Sequence, residues 1–272
     1  MHKNAAYSGT GGHDRMTEMA DFMRSLAAAA AAQTLPRFRR ANDVANKLAA
    51  GFDPVTEADR EAEQAIRRLI GERFPTHGIV GEEFGLSNAG AREVWVIDPI
   101  DGTRAFISGV PLWGTLVGQT VDGDAVAGMM SQPFTGELFY ADAGGAHYEG
   151  PGGARKLATR ATRRLGEATI CTTTPSLFGD SERVLYDRLE RAVRLARYGT
   201  DCYAYCMLAA GHVDLVVESG LQPYDIVALI PIIEKAGGVI TALDGGPAEK
   251  GGFIVAAANA ELHEAALAVL RA

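Results

Sequence analysis

The sequence predicts an α/β protein in two halves, and three observations carry that expectation. Residues 169–270 alternate strand and helix patterns. The first half holds a buried strand pattern, Val94-Trp95-Val96-Ile97, among helical and hairpin patterns. A glycine-rich cluster, Gly150-Pro151-Gly152-Gly153, separates the two. At 272 residues, 47% apolar and 22% charged, the chain has an ordinary globular composition and ample length for a core.

Residues 1–15 are small, polar and glycine-containing; they read as a disordered tail, and Met16 offers an alternative natural start. From Thr17 to about Arg40 the apolar residues Met19, Phe22, Met23 and Leu26 recur at helical spacing, with Pro36 as a kink or stop. Thr56 reads as an N-cap, with Asp59 in the capping-box position. The helix it opens is carried by Ala62, Ala65, Ile66, Leu69 and Ile70. Gly78–Gly81 is a short strand. Strands at Trp113–Val121 and Ala125–Met130 flank an Asp122-Gly123-Asp124 turn, and two more follow near Glu137–Ala141 and Ala146–Glu149. Beyond the glycine cluster, Thr169–Thr173 is a strand and Ser181–Arg197 an amphipathic helix closed by Gly199. A helix from Thr200-Asp201 to Ala210, a strand at Val213–Glu218 and a helix at Tyr224–Ala236 come next. Strands at Val239–Leu243 and Phe253–Ala257 precede a final helix at Ala260–Leu270. Pro231 is locally unfavourable inside its helix. The expected division is a tail at 1–15, an α+β half at 16–150 and an α/β half at 151–272.

The chemistry concentrates where the central strand ends. Asp98-Pro99-Ile100-Asp101-Gly102-Thr103 sets two carboxylates three residues apart, and burying them unpaired is costly without a cation. Oxygen-only donors suit a hard divalent ion such as magnesium. Gly102-Thr103 can start a helix whose free N–H groups face an anion. On this stretch alone, Asp98 and Asp101 could equally cap a surface helix. Other acidic positions at element ends tip the balance: Glu82-Glu83 after the short strand, Asp53 before a helix, Glu218 at a strand end and Asp225 at a helix start. Each has a plain structural alternative as a cap, a turn former or a solvated charge.

Several functions are excluded or disfavoured. A formal charge of −8 argues against a general nucleic-acid or anionic-membrane binder. Cys171, Cys202 and Cys206 form no CxxC pair, which suits reduced thiols in the cytoplasm. The six histidines form no zinc pattern, and neither a GxSxG elbow nor a Walker loop is present. Metal-assisted hydrolysis is the chemistry left.

Taken together, DPVTEAD (Asp53–Asp59), GEE (Gly81–Glu83), WVIDPIDGT (Trp95–Thr103), Gly199-Thr200 and Tyr224-Asp225 followed by EKAGG (234–238) resemble the inositol monophosphatase superfamily. The motifs span nearly the whole chain from Met16. The resemblance implies a layered αβαβα sandwich of the inositol monophosphatase and fructose-bisphosphatase type. It also implies magnesium-dependent phosphomonoester hydrolysis with two or three ions per site, usually in a homodimer. By position it puts Glu82, Asp98 and the Ile100 carbonyl on a first ion and Asp98, Asp101 and Asp225 on a second. Asp53 and Glu82 would hold a third through water. Thr103 and Glu82 would orient and deprotonate the attacking water, with Gly102 and Thr103 N–H groups on the phosphate and Lys47 nearby. The segment 198–238 is most like the histidinol-phosphate phosphatase branch: ESGLQPYD (Glu218–Asp225) lacks the tryptophan that inositol-phosphate enzymes often carry before the aspartate. Histidinol phosphate bears an amine and an imidazole, which Glu218 and Asp201 could meet. Arg197 would touch substrate or finish its helix. The rivals are an inositol- or sugar-phosphate phosphatase and a catalytically silent metal- or phosphate-binding regulator.

Overall fold

Apolar faces on both sides of two sheets dictate a stack of helix, sheet, helix, sheet and helix. A computed structural model describes residues 11–40, 45–46 and 54–272. In chain order it contains α1 (Gly11–Thr34), a small pair β1 (Ala45–Asn46) and β2 (Pro54–Val55), α2 (Glu57–Arg73), β3 (Gly78–Gly81) and β4 (Gly85–Ser87). β5 (Glu93–Asp101), α3 (Thr103–Ile107), β6 (Gly114–Val121), β7 (Asp124–Gln132), β8 (Glu137–Asp142), β9 (Gly145–Gly150) and β10 (Gly153–Lys156) follow. Then come β11 (Thr169–Thr172), α4 (Asp180–Ala192), β12 (Leu195–Tyr198), α5 (Asp201–Ala209), β13 (Leu215–Leu221), α6 (Pro223–Ile226) and α7 (Leu229–Lys235). β14 (Val239–Ala242), β15 (Gly252–Ala257) and α8 (Ala260–Leu270) complete the chain.

The first sheet has eight strands in the order β10-β9-β8-β7-β6-β5-β3-β4, antiparallel except for β3 beside β5. The second has five, in the order β12-β11-β13-β15-β14, with β11 parallel to both neighbours. Strand alternation sorts the cores. Val117, Met129 and Trp95 meet α1 and α2 through Met23, Leu26, Ile66 and Ile70. Their neighbours Leu116 and Met130 point the other way, into a central layer with Leu208, Leu229 and Ile233 of α5 and α7, closed by Val216 and Ile254 of the second sheet. Leu215, Val217 and Val255 face outward onto α4 and α8, against Tyr186, Leu189, Leu262 and Leu270.

Several elements differ from the sequence expectation. α1 begins at Gly11, inside the stretch read as a tail, and stops at Thr34 before Pro36. The remainder of that tail, residues 1–10, lies outside the described residues. The helix expected to reach Arg197 ends at Ala192, and the chain turns into β12, parallel to β11. The Gly150–Gly153 cluster is the turn of the β9–β10 hairpin, with Gly153 at φ +87°; the chain leaves the first sheet only after Lys156. The helix expected over 224–236 is broken at Val227-Ala228 into α6 and α7. That break explains Pro231, which falls in the first turn of α7, where a missing N–H removes no intrahelical bond.

The same break seats α6 and α7 on the first sheet. Gly118 and Gly128 are cross-strand partners on β6 and β7, and both lie directly under Ala228. A Cβ on Gly128 would stand 2.1 Å from the Ala228 carbonyl oxygen. We expect Gly128→Ala to push this backbone away and to lower stability by about 1–3 kcal/mol, several degrees in melting midpoint. Gly152→Ala, with nothing within 4 Å of the new methyl, is the control and should leave the midpoint unchanged. Equal midpoints in thermal melts of the two variants would refute the close-approach account.

Candidate active site

Two residues three apart on a regular strand point to opposite faces. Asp98 and Asp101 escape this because β5 bulges between them: Asp98 pairs with Leu116 and Asp101 with Gly114, three steps against two. The extra residue turns both carboxylates to one side. Pro99 has no N–H to lose, and its carbonyl accepts from the Thr115 hydroxyl at 2.8 Å. The Ile100 N–H donates to Asp98 Oδ1 at 3.0 Å, and the Thr103 hydroxyl donates to the Ile100 carbonyl at 3.0 Å. Gly102, at φ +81°, then turns the chain into the short helix α3.

Neighbouring elements bring further acids to the same place. Glu82 follows β3, and its N–H donates to the Ile97 carbonyl at 3.1 Å. The turn it occupies is held from below by Glu63, a fully buried residue of α2 that accepts from the N–H groups of Glu83 (2.7 Å) and Phe84 (3.2 Å). A Cβ at position 81 would meet Glu63 Oε1 at 1.9 Å, so any residue but glycine there would displace the carboxylate that holds the turn. Asp225 arrives from α6, its carboxylate accepting from the Gln222 N–H at 2.7 Å. The N-terminal turn of α5 abuts Asp101, whose Oδ2 accepts from the Cys202 N–H at 2.8 Å.

Oxygens of Asp98, Asp101 and Asp225 all lie within 4.8 Å of one another. A cleft of about 330 Å³ opens over them, lined also by Glu82, Ile100, Gly102, Thr103, Asp201 and Glu218. Its far wall comes from the second sheet, at the carboxyl ends of parallel β11 and β13, where open α/β sheets place ligands. There Glu218 accepts from both the N–H and the hydroxyl of Thr173 at 2.7 Å. A second bulge follows Glu218, which pairs with Ile254 while Leu221 pairs with Gly252. Asp201 adopts φ +41°, beside Gly102, where a Cβ would lie 3.2 Å from its carboxyl carbon.

The structure therefore brings together Glu82, Asp98, Ile100, Asp101, Gly102, Thr103, Asp201, Glu218 and Asp225. Lys47 and Asp53 lie outside the described residues. Arg197 does not finish a helix: α4 ends at Ala192, and Arg197 sits exposed on β12, outside the cleft lining. Sequence reasoning missed Glu63, Thr173 and Arg104, the last a cleft-lining residue whose positive charge favours ionised Asp201. Glu63 had a signal, a charge on the apolar face between Ala62 and Ile66. Thr173 had only its place at a strand end.

Burial dominates the electrostatics. Desolvation, then the charges of Glu82, Asp101 and Asp225, pushes the Asp98 carboxyl well above the usual carboxylate range. Desolvation, then Asp225 and Asp201, does the same to Asp101. Burial lifts Glu218 to about 7 and Asp201 to about 6. An all-oxygen set of mutually repelling carboxylates is what a hard divalent cation fits: its charge relieves the repulsion and its coordination replaces lost hydration.

Comparison with known proteins agrees with this geometry. The family model described as the inositol monophosphatase family matches residues 15–272. A protein named bifunctional phosphatase IMPL2, chloroplastic, from Arabidopsis thaliana is 39% identical over 247 residues, covering 85% of this chain and 68% of its own. A histidinol-phosphatase from Mycobacterium tuberculosis is 35% identical over 259 residues, 93% of this chain and 98% of its own. The solved structure of an inositol monophosphatase from Zymomonas mobilis superposes with a TM-score of 0.82 at 38% identity, covering 93% of this chain and 98% of that one. The chain belongs to the inositol monophosphatase family. It is a phosphatase of that family, and no helix among the described residues is long and apolar enough to cross a membrane.

The raised carboxyls make stability pH-dependent. Groups whose folded pKa exceeds the unfolded value of about 4 stabilise the fold fully below that value and lose the contribution as pH rises through the folded one. For Asp201 at about 6 and Glu218 at about 7, the loss runs from about pH 4 to about pH 7. We expect the melting midpoint of metal-free protein to fall across that range and Glu218→Gln to flatten the fall. A midpoint that rises from pH 5.5 to 8 without metal would contradict the repulsion described.

Proposed function

We propose that the protein is a magnesium-dependent phosphomonoesterase that hydrolyses histidinol phosphate to histidinol and phosphate. The observation that carries the substrate choice is the buried Glu218, held by Thr173 beside Asp201, as an acidic wall facing the Asp98–Asp101–Asp225 group across one cleft. A substrate with a phosphate at one end and an ammonium at the other matches both walls. The name of the M. tuberculosis relative supports the same reading.

Asp98, Asp101, Asp225, Glu82 and the Ile100 carbonyl would hold two ions, with Asp53 and Glu82 near a third. When bound, such ions activate water and neutralise the charge that builds up on a phosphoryl group in flight. The chain's own residues do the rest. The Gly102 and Thr103 N–H groups, presented at the turn into α3, hold the phosphate. Thr103 aims the attacking water, its hydroxyl already oriented by the Ile100 carbonyl, and Glu82 takes the proton. Glu218 and Asp201 hold the amine end at a fixed distance, which makes attack a matter of position rather than of covalent chemistry. The acidic composition and the three unpaired cysteines support a cytoplasmic enzyme that acts on a small metabolite and not on nucleic acid or membrane. A homodimer is the proposed assembly.

A second reading has its own support. The Z. mobilis structure, 38% identical, is that of an inositol monophosphatase. On that reading Glu218 would accept hydrogen bonds from sugar hydroxyls. Phosphate release should separate the two. We expect kcat/KM for histidinol phosphate to exceed that for inositol 1-phosphate and fructose 1,6-bisphosphate by about a hundredfold, roughly 2.7 kcal/mol of transition-state discrimination. Glu218→Gln should erase most of that preference. Similar rates on all three substrates would leave a broad sugar-phosphate phosphatase. Thr103→Ala should lower kcat more than it raises KM, as a water-positioning group requires; a change in KM alone would limit Thr103 to binding.

A further inference from the structure

The outer rim of the cleft presents an apolar side chain that the fold leaves uncovered. Leu177 lines the cleft and is 46% exposed. Single exposed leucines are ordinary on a protein surface. This one stands on a rigid turn at the mouth of an otherwise polar site. The turn, Pro175–Leu177, is a short 3-10 helix that begins two residues after Thr173, the residue that holds Glu218. The Thr174 hydroxyl caps it by accepting the Ser176 N–H at 3.3 Å, and the Leu177 N–H donates to the Thr174 carbonyl at 3.1 Å. Pro175 presets φ at its first position. Phe178 then anchors it in the outer core, stacked on Tyr186 with ring centroids 4.7 Å apart and on Phe253 at 5.6 Å.

A second rim segment is tied to this turn. The bulge on β13 leaves Ser219 and Gly220 out of register with β15, so the ladder does not place them. Glu182, in the first turn of α4, does. Its Oε2 accepts from the Ser219 hydroxyl at 2.7 Å and from the Gly179 N–H at 3.2 Å. One carboxylate oxygen therefore joins the segment that follows Glu218 to the end of the turn that carries Leu177. Leu221, at the far side of the bulge, also lines the cleft. The acidic wall is thus flanked by two leucines, on rim segments that cannot drift apart.

We propose that this rim is a specificity element: Leu177 packs on the apolar, ring-bearing arm of the alcohol that the phosphate esterifies, and Glu182 is the positioning residue that holds the turn against the Glu218 wall. The inference rests on reading the cleft as one for a phosphate ester that also carries an ammonium group. With the phosphate at the Asp98–Asp101–Asp225 group and the ammonium at Glu218, the third arm of such an alcohol leaves along the wall on which Thr173 runs into the turn. Covering Leu177 releases the water on it, which favours a ligand long enough to reach the rim. A locked turn cannot move inward to meet a shorter one, so the gain discriminates between them.

The matched probes are histidinol phosphate and ethanolamine phosphate, the same ester without its imidazolylmethyl arm. Phosphate release by the full-length protein with magnesium gives the ratio of the two kcat/KM values. In Leu177→Ser this ratio should fall about tenfold, the scale of one lost apolar contact in a pocket; Leu177→Met should keep it within about twofold. Glu182→Ala should lower the ratio as well, and Glu182→Gln, which retains an acceptor oxygen, should restore most of it. A packing defect would weaken both esters alike. A ratio within about twofold of the parent's in Leu177→Ser would overturn the proposal and leave the histidinol phosphate reading standing. Equal losses on both esters would do the same, and so would an unchanged ratio with an altered sedimentation coefficient, which would give Leu177 to a contact between copies. A parent that hydrolyses inositol 1-phosphate faster than either amine would remove the ammonium reading itself, and the proposal with it.

Discussion

Repulsion among desolvated carboxylates is the constraint on which the rest of this structure depends. Asp98, Asp101 and Asp225 sit within 4.8 Å of one another at the end of a strand otherwise made of Val94, Trp95, Val96 and Ile97. Such a group would swing apart unless each member were tied down. Asp98 is held by the Ile100 N–H, Asp101 by the N-terminal turn of α5, and Asp225 by the reciprocal cap at the start of α6. The ties are backbone donors, so the geometry is set by the fold and not by flexible side chains. Free energy given up in folding would be recovered on binding a cation, and such an arrangement favours a ligand of high positive charge density.

Both sheets reach the cleft through the same device. A bulge on β5 turns Asp98 and Asp101 to one side, and a bulge on β13 releases the chain after Glu218. In each case three steps along one strand oppose two along its partner, and the extra residue lies where pairing ends and the functional side chain begins. The layers then set the distance between the two walls. The central helices fill the space between the sheets, and the close seat of Ala228 on Gly118 and Gly128 fixes how near Asp225 comes to β5. Small residues in the first sheet thus act at the site from a distance, by letting backbone meet backbone.

Charge explains what the two walls can tell apart. The wall of β5 and α6 holds the acids that a cation would cover, leaving a net attraction for phosphate. The wall of β11 and β13 holds Glu218 and Asp201; Arg104 favours the ionised form of Asp201, and Thr173 hydrogen-bonds both. On the proposed reading, a ligand anionic at one end and cationic at the other would suit this arrangement better than a uniformly anionic one.

The sequence by itself determined the centre of this protein. An apolar run ending in Asp-Pro-Ile-Asp-Gly-Thr, the capping box at Thr56 and Asp59, and acids at the ends of neighbouring elements were readable because their causes are local: burial, capping and turn chemistry act over a few residues. The alternation of strands and helices, and with it the α/β class, was readable for the same reason, whereas the layered αβαβα stack was implied by the family resemblance. What only the tertiary structure decided was everything set by contacts distant in the chain. The short apolar run Leu195-Ala196 could continue a helix or form a strand, and only pairing with β11 made it β12. Pro231 was unexplained until the α6–α7 break put it in a first turn. The use of Glu63 and Thr173 as supports, and the removal of Arg197 from the cleft, follow from which strand ends and helix faces the fold brings together. Hydrophobic pattern specifies a face but not the partner that covers it, so the chemistry was written locally and its scaffold only in the packed chain.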